Sequence, residues 1–442
     1  MRIRQISAAA LVPVSVVFAA IVHAQNPTPA QATILPTQTP ILTLGRALEA
    51  ARNNFDVALS RSAAVAAQAD VLAADHAPFP TLSAKLSSID LQNGIGGGGI
   101  LGDKRIDKGI GIDWTWERGN KRGLRTQAAQ RSASAAQADL EDTQILQLLA
   151  ASAAFFDLTA AQERVAQVEA MAAGTAQIAS MAARRVSAGD LARQDALRLE
   201  IESERAKGDV LTATLERQRA ALALASLLGA EVSAQTLQTQ TSWAQLGTQL
   251  INAIATDSTI QVWVEARPDL HAAIERVTAA QAALKGANAL NKADITWGAS
   301  LDHFPGTSNR LLELRMQIPL QFSYQYQGEI ARAQAQLTAA QDALAKMRRN
   351  AMLEMQGFLA QVQTTSQRSQ SYEQDILPRA RQVAAQAELA YVKGALALND
   401  LLDARRTLRA TGLEALAVRA DYAKAVTAWR LRTQPLAALL TE

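Results

Sequence analysis

The side chains that most often carry chemistry are sparse in this 442-residue chain and poorly spaced for it. Cysteine is absent, so disulfides, thiolate metal sites and thiol nucleophiles are excluded, as is lipid attachment at a cysteine. The four histidines, His23, His76, His271 and His303, are scattered, with no His-Glu-x-x-His spacing and no second ligand close by in sequence. The glycine-rich run that begins at Gly94 (GIGGGG) lacks the Lys-Ser/Thr and the helix that complete a phosphate loop, and suits a loop tip. No catalytic residue, metal site or cofactor is expected, and the chain does not read as an enzyme. Lys and Arg number 44 against 41 Asp and Glu, interspersed along the chain, so no nucleic-acid partner is expected.

What remains is the chemistry of a boundary between oil and water. Trp114, Trp116, Trp297, Phe304, Phe322, Tyr324 and Tyr326 fall at the ends of alternating segments, where membrane-interface girdles are expected. Arg118, Lys121, Arg122 and Arg125 cluster just beyond Trp116 and are expected to anchor the same interface.

The elements that position these residues alternate in hydropathy with a period of two. Ile110, Ile112, Trp114 and Trp116 alternate with Asp113, Thr115 and Glu117, and Ile295, Trp297, Ala299 and Leu301 with Thr296, Gly298, Ser300 and Asp302. Leu312, Leu314, Met316, Ile318 and Leu320 alternate with Glu313, Arg315, Gln317 and Gln321, and a weaker TLSAKLSSIDL segment precedes the first glycine run. Four strands are therefore expected, over about 81–91, 106–118, 294–304 and 310–322, each long enough to cross a membrane in a barrel. Past the N-terminus no stretch approaches 18 consecutive apolar residues, so any span is expected to be β. Eight strands are about the fewest that close a filled barrel, so four imply an oligomer.

The rest reads as helix, consistent with 4% aromatics and abundant Ala, Gln, Leu and Arg. Residues 1–24, with Arg2, Arg4 and an apolar run, are expected to be a cleaved secretory signal, and the Pro/Thr/Gln-rich 25–41 an extended arm. A helix is expected from about Leu42 to Asp75, stopped by Pro78 and Pro80. Sliding the sequence on itself exposes a duplication. Residues 53–72 lie over 267–285 with Asp56 opposite Asp269, while 123–137 over 328–342 and 189–197 over 394–402 follow a register about eight residues shorter. The difference falls in 94–105 against 305–310, which must be an exposed hairpin tip.

Two repeats are thus expected, 42–230 and 267–434, joined by a Gln/Thr-rich, partly helical connector at 231–266 and followed by a tail at 435–442. Each repeat contains a helix of roughly 95 Å (124–186 and 329–391), a break near Gly189 or Gly394, and a returning helix. In the last helix Leu408, Ala415, Tyr422 and Trp429 keep heptad spacing, the seam of a coiled tube. In the strands that follow the loops the apolar parity slips by one between repeats, which a bulge or an unlocated single-residue indel before Gly123 or Gly328 would repair.

In this order the segments resemble the TolC family of outer-membrane efflux proteins, from Leu42 to about Thr433. ARNNFDVAL and EARPDLHAAI look like the family's paired lead-in helices, and WERGNKRGLRTQAA and YQGEIARAQAQL like its barrel-to-helix junctions. YVKGALALNDLLDARRTL resembles its second hairpin turn. The WERGNKRGLR junction looks nearest the outer-membrane subunits of cobalt–zinc–cadmium exporters. The resemblance implies a mainly α fold with a small transmembrane β part, a homotrimer with a twelve-stranded β-barrel on a twelve-helix periplasmic α-barrel. It also implies a periplasmic adaptor and an inner-membrane pump of the resistance-nodulation-division type as partners. The family's acidic gate maps onto Asp400 and Asp403, a latch tyrosine onto Tyr391, and the adaptor-facing turns onto Gly189, Leu191, Gly394 and Leu396. Leu396 stands where the latch would need an arginine. On the residues alone, Asp400 and Asp403 could equally face solvent or cap the returning helix, and Asp195 is expected to be a cap. The rival reading, a soluble periplasmic coiled-coil adaptor or scaffold, explains the helices and the signal but not the four strands.

Overall fold

The computed structural model describes residues 41–87, 106–228, 233–241, 243, 257–304 and 308–434. The expected signal, nearly all of the arm, the 94–105 loop, much of the connector and the tail lie outside the described residues.

The first expected helix is two helices, α1 (Leu44–Ala51) and α2 (Phe55–Ala74). The break comes from Asn54, whose side chain accepts a hydrogen bond from the Val57 amide and so starts a new helix. Four antiparallel strands follow in two hairpins: β1 (Thr81–Ser87), β2 (Asp107–Trp116), β3 (Ile295–Phe304) and β4 (Ser308–Gln317). They form one sheet in the order β1-β2-β3-β4, so the two hairpins meet at the β2–β3 seam and β1 and β4 are its edges. β4 stops at Gln317, short of the expected 322, because its partner β3 starts near Ile295 and Thr296 already pairs with Gln317. Phe322, Tyr324 and Tyr326 therefore sit on the link to the next helix rather than on a strand.

Two helices dominate the remainder. α3 (Lys121–Ser187) has 67 residues, roughly 100 Å of helix. Its counterpart is α7 (Gln327–Ser371) continued by α8 (Leu377–Val392), with a π-helical turn at Tyr372–Ile376 between them. Pro378 explains that turn: it lacks an N–H and its ring crowds the carbonyl four residues back, so the preceding turn widens. Both long helices begin after a non-glycine residue in the left-handed region, Asn120 and Tyr326, each at φ 57°. Two helical residues separate Asn120 from Gly123 and one separates Tyr326 from Gly328, so the single-residue indel lies in the first helical turn.

The shorter helices are α4 (Arg193–Leu228), α5 (Asp257–Glu265), α6 (Pro268–Ala289) and α9 (Leu398–Thr433). Near the sheet, α2 and α6 flank α3, and α6 also packs on α7; farther away α4 and α9 take those places. The cores are strips between helices rather than one globule. One strip gathers Phe155, Phe156, Leu224 and Ala423, and another gathers Ile260, Met355, Val426 and Trp429. An 18-residue window of α3 is apolar enough to cross a membrane by composition alone, but 44% of it is buried within the protein. The connector joins the first strip through Leu237 and Trp243, whose Nε1 donates to Glu163 at 2.5 Å.

Candidate functional site

The sheet is amphipathic across its whole width. Ile110 stands opposite Leu301, Ile112 opposite Ala299 and Trp114 opposite Trp297, while Leu314 and Met316 extend the same face onto β4. These large side chains are exposed, Leu314 to 76% and Leu82 to 75%, the mark of a face that meets a membrane or another protein. The opposite face carries Lys85, Asp113, Thr115, Ser300, Asp302, Glu313 and Arg315. Thr115 and Thr296 share a hydrogen bond there at 3.0 Å.

Six of the seven expected interface aromatics lie at the helix-proximal end of the sheet. Trp114, Trp116, Trp297, Phe322 and Tyr324 are exposed there; Tyr324 donates to Glu329 at 2.5 Å and stacks on the half-buried Tyr326. Phe304 stands apart, at the far end of β3. Phe79, 76% exposed just before β1 and in contact with the His76 ring, belongs to the proximal group; it precedes the alternating run, so periodicity gave no sign of it.

Three members of the basic cluster beside Trp116 carry ion pairs within the protein, while Arg118 is exposed and donates only its backbone amide, to Asp294. Lys121 pairs with Asp294 at 2.8 Å, Arg122 with Asp75 at 2.9 Å, and Arg125 with Glu117 at 3.1 Å. Arg125 also donates to the carbonyls of Ala74 and His76. Its hydrogen bond and charge make Arg122 hold the Asp75 carboxyl below the usual carboxylate range. These pairs tie the ends of α2, β2 and α3 and the start of β3 into one rigid junction.

At the other end of the long helices, two hairpin turns share one design. Gly189 (φ 83°) and Gly394 (φ 78°) end α3 and α8, and the Asp190 and Ala395 amides each reach back to the carbonyl five residues earlier at 2.8 Å. Leu191 turns inward with Tyr391 against Ala182, Leu199 and Leu398, while Leu396 is half-buried. Tyr391 thus packs in the cluster that closes its own turn. Neither carboxylate of the NDLLDA segment caps α9, whose N-cap position is Ala397. Asp400 lies exposed in the first turn, and Asp403 is 74% exposed with Arg406 at 3.5 Å. Asp195 is also not a cap: it is the third residue of α4 and lies 4.0 Å from Arg198. α9 is tied to its neighbours by Arg405 to Glu388 at 2.7 Å, Arg406 to Glu202, and Arg409 to Asp209.

Sequence reasoning missed a charged cluster at mid-height, where α6 begins and α9 ends. Arg267 grips Asp269 through a two-point fork at 2.7 and 3.0 Å and reaches Glu354 at 2.8 Å. Arg432 meets Glu354 at 3.4 Å and Asp142 at 3.3 Å. Both guanidiniums are about 95% buried. Burial, then the nearby Asp269 carboxylate, push the Asp142 carboxyl above the usual range against the pull of Arg432. The available signal was Arg267 itself, a cation standing at a helix start before Pro268 where a capping residue is usual. Among the described residues, no group of three or more His, Asp or Glu stands ready to hold a metal ion.

Residues 47–230 match the family described as outer membrane efflux protein. The cobalt-zinc-cadmium resistance protein CzcC of Cupriavidus metallidurans is 26% identical over 311 residues, covering 70% of this chain and 73% of its own length. Among solved structures, CusC superposes with a TM-score of 0.75 at 17% identity, covering 92% of this chain and 96% of its own. The CmeC outer membrane channel of Campylobacter jejuni superposes with a TM-score of 0.73 at 15% identity, covering 88% and 85%. These likenesses, with a sheet that exposes a whole apolar face, favour a membrane channel over a soluble coiled-coil scaffold. Over residues 47–230 the chain matches the outer membrane efflux proteins, and over 70% of its length it is similar to CzcC.

Proposed function

We propose that this chain is one subunit of a homotrimeric outer-membrane channel, the passive exit duct of a tripartite export system. The observation that carries the proposal is the four-stranded sheet, apolar and exposed on one face, polar on the other, with two open edges and roughly 100 Å of helix attached to it. An open-edged sheet of this kind needs strand partners, and three copies joined β4 to β1 close a twelve-stranded barrel, wide enough for a wet lumen. The apolar face then meets lipid, the proximal aromatics mark the periplasmic interface, and the long helices assemble into a twelve-helix tunnel in the periplasm. Residues 1–24 direct secretion and are removed.

In this reading the turns at Gly189, Leu191, Gly394 and Leu396 meet a periplasmic adaptor, which links the duct to an inner-membrane pump of the resistance-nodulation-division type. Asp400 and Asp403, exposed on the turn side of α9, supply acidic rings at the periplasmic mouth in three copies, where like charges repel and attract cations. Tyr391 supports the closed mouth by packing its own turn rather than through an arginine latch. Heavy-metal cations are the cargo the likeness to CzcC favours.

Purified protein reconstituted in planar bilayers tests the duct, and chemical cross-linking tests the trimer. Discrete conductance steps from a cross-linked trimer are expected; recovery of all the mature protein in the soluble periplasm overturns the reading. Cargo is read from a deletion strain challenged with zinc, cobalt and cadmium beside hydrophobic antibiotics, with sensitisation to the metals expected.

A further inference from the structure

The polar face of the sheet is arranged in rows across the strands, and three of these rows contain one glycine each: Lys85–Gly109–Asp302–Leu311, Ser83–Gly111–Ser300–Glu313 and Thr81–Asp113–Gly298–Arg315. In the third row, Arg315 Nη2 on β4 donates to Asp113 Oδ1 on β2 at 2.6 Å, so the bridge passes over β3. Strands two apart are separated by about 9.5 Å, a gap that a fully extended arginine spans only by lying flat on the sheet. Gly298 makes that posture available. A Cβ there would stand 2.2 Å from Asp113 Oδ1 and 3.2 Å from Arg315 Nη2, so any side chain at 298 lifts the bridge off the wall. In the first row Asp302 lies over Gly109 in the same manner, steadied by Ser300 Oγ at 2.6 Å.

Resting on the trimeric-barrel reading above, we propose that the Asp113–Arg315 bridge over Gly298 sets the charge selectivity of the barrel lumen. Flat and compensated, the pair adds no net charge to the wall, and it keeps a long cationic side chain out of the bore. The same three-fold axis that closes the barrel puts three copies of the bridge at one height, so releasing either partner creates a ring of three like charges. With the bridge intact, Asp302 and Glu313 outweigh Lys85 on this face, and the lumen favours cations.

The test is the reversal potential of single channels under a salt gradient, measured on the wild-type trimer and in an Asp400→Asn/Asp403→Asn background so that the mouth does not mask the lumen. Arg315→Gln leaves Asp113 uncompensated and is expected to raise cation over anion permeability about twofold in roughly 0.1 M salt, the screened effect of three charges near a permeant ion. Asp113→Asn frees Arg315 and should move the ratio a similar amount toward anions with a smaller conductance. The double variant should return close to the wild-type ratio, and Gly298→Val should lower conductance with little change in selectivity. Shifts of the two single variants in the same direction, or no shift in channels that conduct normally, overturn the proposal while leaving the duct intact. Failure of the wild-type protein to form channels overturns the barrel reading on which it rests.

Discussion

Replacing Arg432 with Met tests whether the buried charges at the α6–α9 joint hold the second repeat together. The Arg432 side chain is 4% exposed and bridges Asp142 at 3.3 Å and Glu354 at 3.4 Å. Methionine keeps much of the aliphatic stem but removes the cation, leaving three carboxylates facing Arg267 alone. Breaking a buried ion pair from one side costs about 3–5 kcal/mol, because the remaining charge stays desolvated. Glu354 contributes little to that cost, since it is 37% exposed and keeps Arg267 at 2.8 Å. The loss falls on Asp142, and about 3 kcal/mol is expected near pH 7. The sign of the pH dependence follows from the same residue. Burial and the Asp269 carboxylate already hold its folded pKa above the usual carboxylate range, and losing Arg432 raises it further. A carboxyl with a raised folded pKa binds its proton more tightly when folded, so the variant regains stability as pH falls through that value. Asp269 sets the lower limit: burial alone would raise it, but the Arg267 fork outweighs burial and holds it low. Its stabilisation is present above the ordinary carboxylate pKa of about 4 and fades below, so recovery is read between that point and neutrality. Urea titration of detergent-solubilised protein, followed by helical circular dichroism, measures the deficit, and Asp142→Asn in the Arg432→Met background should restore much of it. A variant as stable as wild type near pH 7, or a deficit that widens on acidification, refutes the reasoning.

Replacing Asp400 and Asp403 with Ala should raise resting conductance in planar bilayers, because three copies of two carboxylates no longer bind cations at the mouth; an unchanged conductance would leave both as solvated surface groups. Gly394→Ala should cost about 1–2 kcal/mol of local stability at the second turn, since φ 78° is strained for any side chain although the space is open. Gly357→Ala, in the interior of α7 with nothing near its Cβ, should instead stabilise by about 0.5–1 kcal/mol, so equal protease resistance of the two variants would contradict the account. Asn54→Ala removes the cap of α2 and the buried partner of Gln147, which lies 2.7 Å from Asn54 Nδ2, and should destabilise by about 1–3 kcal/mol; a thermal midpoint equal to wild type counts against it.

The sequence made the strands legible because a period of two over ten residues has no helical equivalent, and Ile110 to Trp116 kept it without a break. The long helices were legible for the complementary reason, that nothing between Lys121 and Ser187 interrupts them. What escaped was decided by contacts distant in sequence. Asn54 is an ordinary helix residue until its buried contacts with Gln147 and the Leu227 carbonyl make it a start point, 173 residues from the latter. The ion pairs of the basic cluster escaped because Asp75 and Asp294, partners of Arg122 and Lys121, lie far away along the chain. β4 read five residues too far at its end because alternation continues through Ile318 and Leu320 after β3 has no more residues to pair with. Pattern reports what a residue could do on a face, and pairing decides whether the face exists.

The two mid-height joints share a layout and differ in chemistry. In each, a short helix from the sheet side begins where a short helix from the turn side ends, and a polar side chain of the neighbouring long helix closes the gap. In the first repeat the parts are amides: Asn54 donates to the Leu227 carbonyl of α4 and to Gln147 of α3, and Gln147 donates to Asp56. In the second they are ions, with Arg267 and Arg432 both on Glu354 of α7 and Asp269 held by Arg267. Asp56 and Asp269 stand at equivalent places in the two joints, the one held by amide hydrogen bonds and the other by ion pairs. The difference has an energetic consequence. α6 seated in the place of α2 would bury Arg267 against an amide and a carbonyl with no carboxylate but Asp56, and α2 seated in the place of α6 would leave Glu354 and Arg432 without Arg267. The first mismatch strands the buried Arg267, which costs several kcal/mol, and the second leaves Arg432 alone to balance Asp142 and Glu354. Apolar packing thus supplies most of the adhesion in this helical assembly, and the unlike joints supply its order.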